Sequence, residues 1–181
     1  MHQSLGSIRS ALYRVQIAFI VLVLASCVSS PSVDSDAISN ADILNLAAQE
    51  RNILTSGQPT QEQLQVLANS GVKHIVNLRP VAEQEWDEAA YVESLGMQYH
   101  SIPVAGAAGV SVANAQSLDE LLNSLNGQPL LVHCASSNRV GALRALAASI
   151  NEGAPLESAI ATGKDWGLRS LEPVVRGIIG E

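Results

Sequence analysis

In the stretch LLVHCASSNRVGAL, residues 130–143, a cysteine and an arginine stand with four residues between them. A short apolar run ends in His133-Cys134, a polar loop of Ala135, Ser136, Ser137 and Asn138 follows, and Arg139 opens a helix-like pattern. Such a strand–loop–helix turns successive backbone N–H groups inward as a nest. The helix adds its positive N-terminal end. That environment favours a thiolate at neutral pH and also binds a tetrahedral oxyanion. Arg139 supplies a planar fork of donors that matches two anion oxygens. The loop therefore joins a nucleophile, Cys134, to an anion cradle made by the amides of residues 135–139, the pairing that transfer through a phosphocysteine requires. His133 fits a loop-orienting role through a hydrogen bond. The alternative for His133 is an inert, partly buried histidine, and for Cys134 a buried structural thiol.

The surrounding sequence must hold this loop in place. PLLVHC is an apolar strand without alternation, expected to be buried on both faces. VKHIVNL and MQYHSIPV read as further strands, and ILTSG as an edge strand. ADILNLAAQERN is a possible short helix. In PTQEQLQVLANSG, Thr60 followed by Gln63 forms a capping-box pattern, with Gly71 as the stop. AEQEWDEAAYVESLG reads as a helix with acids in its first turn. SVANAQSLDELLNSLNG and RVGALRALAASINEG read as amphipathic helices, the latter with Val140, Leu143, Ala147 and Ile150 on one stripe. PLESAIATGKDWG and SLEPVVRGIIG read as two shorter helices. Alternating strands and helices predict a mostly parallel α/β sheet covered on both faces. Ligands bind such sheets beyond the carboxyl ends of the strands. Three strand ends, NLRP (77–80), IPVAG (102–106) and HCASSNR (133–139), then converge. Arg79, Ala105-Gly106 and Cys134 are expected to face one pocket, although an arginine in the place of Arg79 also suits a surface ion pair.

The chain has 181 residues, a net charge of −7 and a core rich in Ala, Leu and Val but poor in aromatics. One domain with a full core is expected, and bulk attraction to nucleic acid is not. The N-terminus reads separately. A basic segment with Arg9 and Arg14 precedes the apolar run VQIAFIVLVLAS, which has the length of a signal-peptide h-region. Leu24-Ala25-Ser26-Cys27 resembles the lipobox of bacterial lipoproteins. The resemblance implies cleavage before Cys27 and lipidation of its thiol. Residues 1–27 are then a leader, 28–42 a Ser- and Asp-rich tether and 43–181 the domain. Loss of Arg9 and Arg14 leaves 8 basic residues against 17 acids, a net −9. Attachment to the membrane would be by lipid, in the cell envelope, and by analogy with sorting rules at the periplasmic face of the outer membrane. Cys134 is then the one unpaired thiol of an exported protein, which is either buried or used.

VHCASSNRVGAL resembles the His-Cys…Arg signature of cysteine-dependent phosphatases, the tyrosine and dual-specificity phosphatases among them. TSGQPTQEQLQVLANSGVKHIVNLRP, GMQYHSIPV and VHCASSNRVGALRAL, in that order, resemble the phosphatase-like domain of bacterial beta-lactamase-hydrolase-like proteins across residues 45 to 175. The resemblance implies a tyrosine-phosphatase-like three-layer α/β/α fold, with Cys134 as nucleophile and Arg139 as phosphate ligand. Four departures accompany it. The signature has five residues between Cys and Arg, where this chain has four; that shorter gap is similar to rhodanese-type sulfurtransferases, whose cysteine carries a persulfide. Val140 stands where a Ser or Thr commonly assists the leaving thiolate, leaving Ser136 or Ser137 to substitute. The loop lacks the signature glycine, and Asn138 is the residue best suited to a left-handed conformation. Finally, AGAAGVSVANAQ carries no general acid, so Glu83, Asp87, Asp119 and Glu120 are the candidates.

The function expected is a cysteine-dependent phosphatase-like hydrolase with Cys134 and Arg139 catalytic, and Ala135, Ser136, Ser137, Asn138, Arg139 and Arg79 contacting substrate. Its partner is an anionic substrate: a phosphorylated protein or small molecule, or a sulfane sulfur donor. The alternatives are a sulfurtransferase and a non-catalytic anion-binding module. No cofactor is expected. His74 and His100 lack a further ligand at metal spacing, so no metal is expected either. Trp86 and Trp166 read as packing or rim residues.

Overall fold

A computed structural model describes residues 33–50 and 52–180. The expected leader, the Cys27 lipidation site and the first part of the tether lie outside the described residues. The elements in chain order are α1 (Ser35–Ser39), β1 (Ala47–Ala48), β2 (Ile53–Ser56), α2 (Gln61–Asn69), β3 (His74–Asn77), a 3₁₀ turn (Val81–Glu83), α3 (Glu88–Ser94), β4 (Gln98–Ser101), α4 (Val112–Ser124), β5 (Leu130–His133), α5 (Asn138–Ile150), α6 (Leu156–Asp165) and α7 (Glu172–Ile179). Among them no helix is long and apolar enough to cross a membrane.

The five strands form one sheet in the order β1-β2-β5-β3-β4. β5 lies between β2 and β3 and is parallel to both, with Leu131 paired to Leu54 and to Ile75. β4 is parallel to β3, and only β1 runs antiparallel. Successive strand residues point to opposite faces, and the core divides accordingly. Leu54, Ile75 and Leu131 pack with Ile38, Leu64, Leu67 and Val92 on one face. Ile53, Val76, Leu130 and Val132 pack with Leu118, Leu122, Val140, Leu143 and Leu146 on the other. The result is a three-layer α/β/α fold with β5 at its centre, and every residue of β5 is buried. Burying a Leu or Ile side chain contributes about 1.5–3 kcal/mol, so the strand that ends at Cys134 is anchored from both layers.

The Thr60–Gln63 capping box forms in both directions. Four readings change. β2 is an interior strand, because the two-residue β1 covers its outer edge. Residues 41–50 and 52 hold turns and β1 rather than a helix. The helix instead lies at Ser35–Ser39, capped by Asp34, and its Ile38 is buried, so part of the 28–42 tether belongs to the domain. The acids of AEQEWDE are split between the 3₁₀ turn and a helix that starts only at Glu88, where Asp87 accepts from Ala90 N. Lastly, α5 is buried continuously from Arg139 to Ala148 rather than along one stripe, while Ile150 is exposed. Its small residues let α4, α6 and α7 surround it; at Gly141 an added Cβ would lie 2.1 Å from Leu168 N and 2.5 Å from Gly163 O.

Candidate active site

The parallel strands bring the three expected strand ends to one edge. Leu78 N donates to His133 O at 2.9 Å, and Val104 N donates to Leu78 O at 2.9 Å. A pocket of about 230 Å³ opens there, lined by Glu83, Gly106, Ala107, Ala135, Ser136, Asn138, Arg139 and Leu171. Cys134, a free and buried thiol, precedes the lining residue Ala135 and has its sulfur beside the Arg139 guanidinium. Arg79 stands one step aside, in an adjoining pocket of about 200 Å³ with Gln58, Glu85, Trp86 and Ala135. The two pockets share Ala135. A larger concavity of about 460 Å³ lies farther along, between Trp86, Asp87, Tyr99 and Ser101, away from the cysteine.

Contacts outside the loop set its course. Ala135 O accepts from Gln58 N at 3.3 Å, and Ser136 O accepts from Asn45 Nδ2 at 3.1 Å. A trans peptide plane aims the N–H that follows each of these outward carbonyls the opposite way. Ser137, not Asn138, takes the left-handed conformation, with φ 68°. Its hydroxyl donates to Trp166 O at 3.2 Å and is buried there. This bond supports a left-handed residue that is not glycine or asparagine, and it removes the Ser137 hydroxyl from the pocket. Gly167 makes the fit possible: its own φ is 102°, and a Cβ on it would fall 2.6 Å from Ser137 Oγ. Asn138 begins α5 and ties it to the next wall. Its Oδ1 accepts from Arg169 N at 2.8 Å, and its Nδ2 donates to Ser170 Oγ at 2.7 Å. Leu171 of the pocket is held by that segment.

Arg139 is nearly buried, and its fork is occupied. Nη1 donates to Glu83 Oε1 at 3.0 Å and to Val104 O at 2.7 Å, and Nη2 donates to Glu83 Oε2 at 2.7 Å. Burial opposes its charge, but the Glu83 carboxylate and the Cys134 sulfur beside it outweigh that and hold the guanidinium above its ordinary value. Reciprocally, the Arg139 hydrogen bonds hold the Glu83 carboxyl below the usual carboxylate range, against a smaller effect of burial. Arg79 reinforces the arrangement. Its Nη2 donates to Glu83 O, and its Nη1 donates to Gln58 Oε1 at 2.6 Å.

His133 is fully buried and faces away from the pocket. Its Nε2 lies 2.6 Å from Glu88 Oε1, at ion-pair distance but without hydrogen-bond alignment. Glu88 Oε2 accepts from Gln58 Nε2 at 2.8 Å and from Asn77 Nδ2 at 3.0 Å. The fixed carboxylate thus joins the ends of β3 and β5 to Gln58, whose backbone holds Ala135. Glu88 was not among the residues expected at the site; the only signal for it was a helix-start acid close after NLRP.

A family model described as "DSP-PTPase phosphatase fused to NAD+ Kinase" matches residues 31–162. The chain belongs to this phosphatase family. A beta-lactamase hydrolase-like protein of Xylella fastidiosa is 32% identical over 101 residues, which are 53% of this chain and 23% of that protein. The chain thus matches less than a quarter of the length of this curated relative. Among solved structures, a DUF442 protein of Shewanella putrefaciens CN-32 superposes with a TM-score of 0.60 at 21% identity, covering 79% of this chain and 95% of that one. A Cys-to-Ser form of TpbA from P. aeruginosa, in complex with pTyr, superposes with a TM-score of 0.59 at 19% identity, covering 75% and 83%. At these identities the superpositions show the fold, and the family match shows the kinship.

The four acids expected as candidates for a proton donor lie in different places. Of the candidates, Asp119 accepts from Asn151 Nδ2 on the α4–α5 side, and Asp87 caps α3 and lines the larger concavity. Glu120 lies within α4. Glu83 alone of the four lines the pocket of Arg139. Trp166 is buried against Arg144, at 5.2 Å from its guanidinium, whereas Trp86 forms a rim. His74 and His100 face each other, with Nδ1 and Nε2 3.2 Å apart.

Proposed function

We propose that the chain is a phosphoric monoester hydrolase acting through a phosphocysteine, of the tyrosine- and dual-specificity-phosphatase-like kind. One observation carries this reading: Arg139, whose guanidinium lies beside the Cys134 sulfur, presents a bidentate anion fork at the pocket, and that fork already holds a carboxylate. In this reading the Cys134 sulfur attacks phosphorus. The amides of residues 135–139 hold the equatorial oxygens, and Arg139 binds two of them. Ala135, Ser136 and Asn138 form the wall, and Ser137 contributes its backbone. Arg79 meets the part of the substrate that extends over Ala135. His133 fixes the end of β5 through Glu88. The family match and the pTyr complex of TpbA support an anionic, phosphorylated substrate, either a protein or a small molecule.

The four-residue gap favours a second reading, a sulfurtransferase in which Cys134 carries a persulfide from a sulfane sulfur donor. The two readings separate when the full chain is given an aryl phosphate and, in parallel, thiosulfate with cyanide. Phosphate release abolished by Cys134→Ser supports the phosphatase. Thiocyanate formation without phosphate release reverses the order. Neither product, with retained binding of inorganic phosphate, leaves the anion-binding module. We also propose attachment to the envelope by lipid on Cys27, supported by the lipobox resemblance. Incorporation of labelled fatty acid that persists in Cys27→Ser overturns it.

A further inference from the structure

The phosphatase reading leaves one role unfilled, the group that protonates the leaving oxygen. We propose that Glu83 fills it, closing the Arg139 fork while the site is empty and donating its proton once a phosphate has displaced it. The proposal rests on the phosphatase reading and adds to it a catalytic acid from an unexpected strand end.

Placement comes first. In the pocket of Arg139, Glu83 is the one carboxylate among the lining residues. The loop after β4, where an acid is expected, contributes Gly106 and Ala107 to the same pocket. Neither can donate a proton from its side chain.

The way Glu83 is tethered comes next. Its N–H donates to Pro80 O at 2.9 Å, and its carbonyl accepts from Arg79 Nη2. Both backbone groups are thus held independently of the side chain. The carboxylate itself is 36% exposed, whereas the Arg139 side chain is 9% exposed. The partner that has room to move is the glutamate. A phosphate that takes both fork nitrogens expels the carboxylate, yet the pinned backbone keeps it at the pocket rim.

The proton balance follows. On Arg139 the carboxyl is held in its charged form. Released from the guanidinium and set beside a phosphate, it loses a favourable charge and gains an unfavourable one, and both changes promote protonation. The Cys134 thiolate then forms an S–P bond while the ester P–O bond breaks. That electron pair goes to the leaving oxygen, which takes the proton from Glu83. In the second half, Glu83 accepts a proton from the water that attacks phosphorus. The P–S electron pair returns to Cys134, so the thiolate is regenerated and Glu83 is neutral again. As product phosphate departs, Glu83 gives up that proton and returns to the fork.

Two consequences of the proposal point in opposite directions. Removing the acid slows turnover of poor leaving groups, while removing the internal anion strengthens binding of external ones. The test compares wild type, Glu83→Gln and Glu83→Asp on aryl phosphates running from 4-nitrophenyl to phenyl, with inorganic phosphate as inhibitor. Because kcat/KM ends at the phosphocysteine and leaves out the water half-reaction, it isolates the leaving-group step: for Glu83→Gln the ratio of kcat/KM for the nitrophenyl ester over the phenyl ester should rise on the order of 10²-fold relative to wild type, the lower end of general-acid effects. Inorganic phosphate should inhibit this variant at lower concentration than wild type, and Glu83→Asp should fall between the two. A ratio of kcat/KM between the two esters that stays at its wild-type value, with an unchanged inhibition constant, overturns the proposal and makes Glu83 a structural ion-pair partner. Unaltered kcat/KM for both esters also overturns it. Wild type that hydrolyses no ester overturns the phosphatase reading itself, a result distinct from both.

Discussion

His133 and Glu88 are buried together at 0% and 1% side-chain exposure, with Nε2 2.6 Å from Oε1. The pair links the last residue of β5 to the first residue of α3, and hence the root of the cysteine loop to the segment that carries Glu83. Truncating one member strands the other, along with the Gln58 and Asn77 amides that donate to the carboxylate. Each donor left without its acceptor costs about 1–3 kcal/mol. Glu88→Ala, which removes the acceptor of both amides, should lower unfolding free energy in urea by at least about that much. Glu88→Gln, which retains an acceptor for the two amides, should lose less. Equal losses for the two variants would assign the effect to packing rather than to the polar cluster.

How much of this was readable in advance depended on distance along the chain. The strand at PLLVHC, the loop and the fold class were legible because apolar runs, caps and the Cys–Arg spacing are local patterns. β2 was misread because its cover, Ala47–Ala48, is too short to leave a pattern. The buried girth of α5 was missed because Gly and Ala look neutral in a periodicity reading, yet here they admit three neighbouring helices. Ser137 overrode residue preference because its hydroxyl finds Trp166 O, 29 positions away. Above all, Glu83 meets Arg139 across 56 positions, and only the register of β3 beside β5 creates that contact.

Gly141 tests how rigidly α5 presents Arg139 to the pocket. It lies two residues beyond Arg139, against Gly163 and Leu168 of the α6 region, and a Cβ there has backbone on more than one side. Overpacking at such a crossing costs about 1–3 kcal/mol or more. Gly141→Ala should therefore lower the melting temperature and weaken inhibition by inorganic phosphate, since α5 must shift. Gly177→Ala, in α7 with open space around the added Cβ, is the control: it should hold or slightly raise the melting temperature, since Ala is the better helix former, and leave phosphate inhibition unchanged. Similar behaviour of the two variants would mean that the α5–α6 contact yields without disturbing the site.

The Glu83–Arg139 pair also predicts how stability varies with pH. Hydrogen bonds from Arg139 place the folded Glu83 carboxyl below its ordinary value, so the unfolded chain takes up the proton first as pH falls. The pair's contribution is therefore complete above the unfolded carboxyl value, about 4.3. It is lost as pH drops through the lower folded value. Glu157 and Glu172, lowered by Arg176 and, for Glu172, first by Lys164, follow the same sign. They are present in wild type and in Glu83→Gln alike and cancel in the difference between the two proteins. The melting temperature of wild type should exceed that of Glu83→Gln at pH 7, and the gap should close as pH approaches 3. Added salt should narrow the gap at pH 7, because the carboxylate is partly in solvent. A gap that persists unchanged at low pH would show that the amide replacement acts through shape rather than charge, and that Arg139 does not need a carboxylate to stay in place.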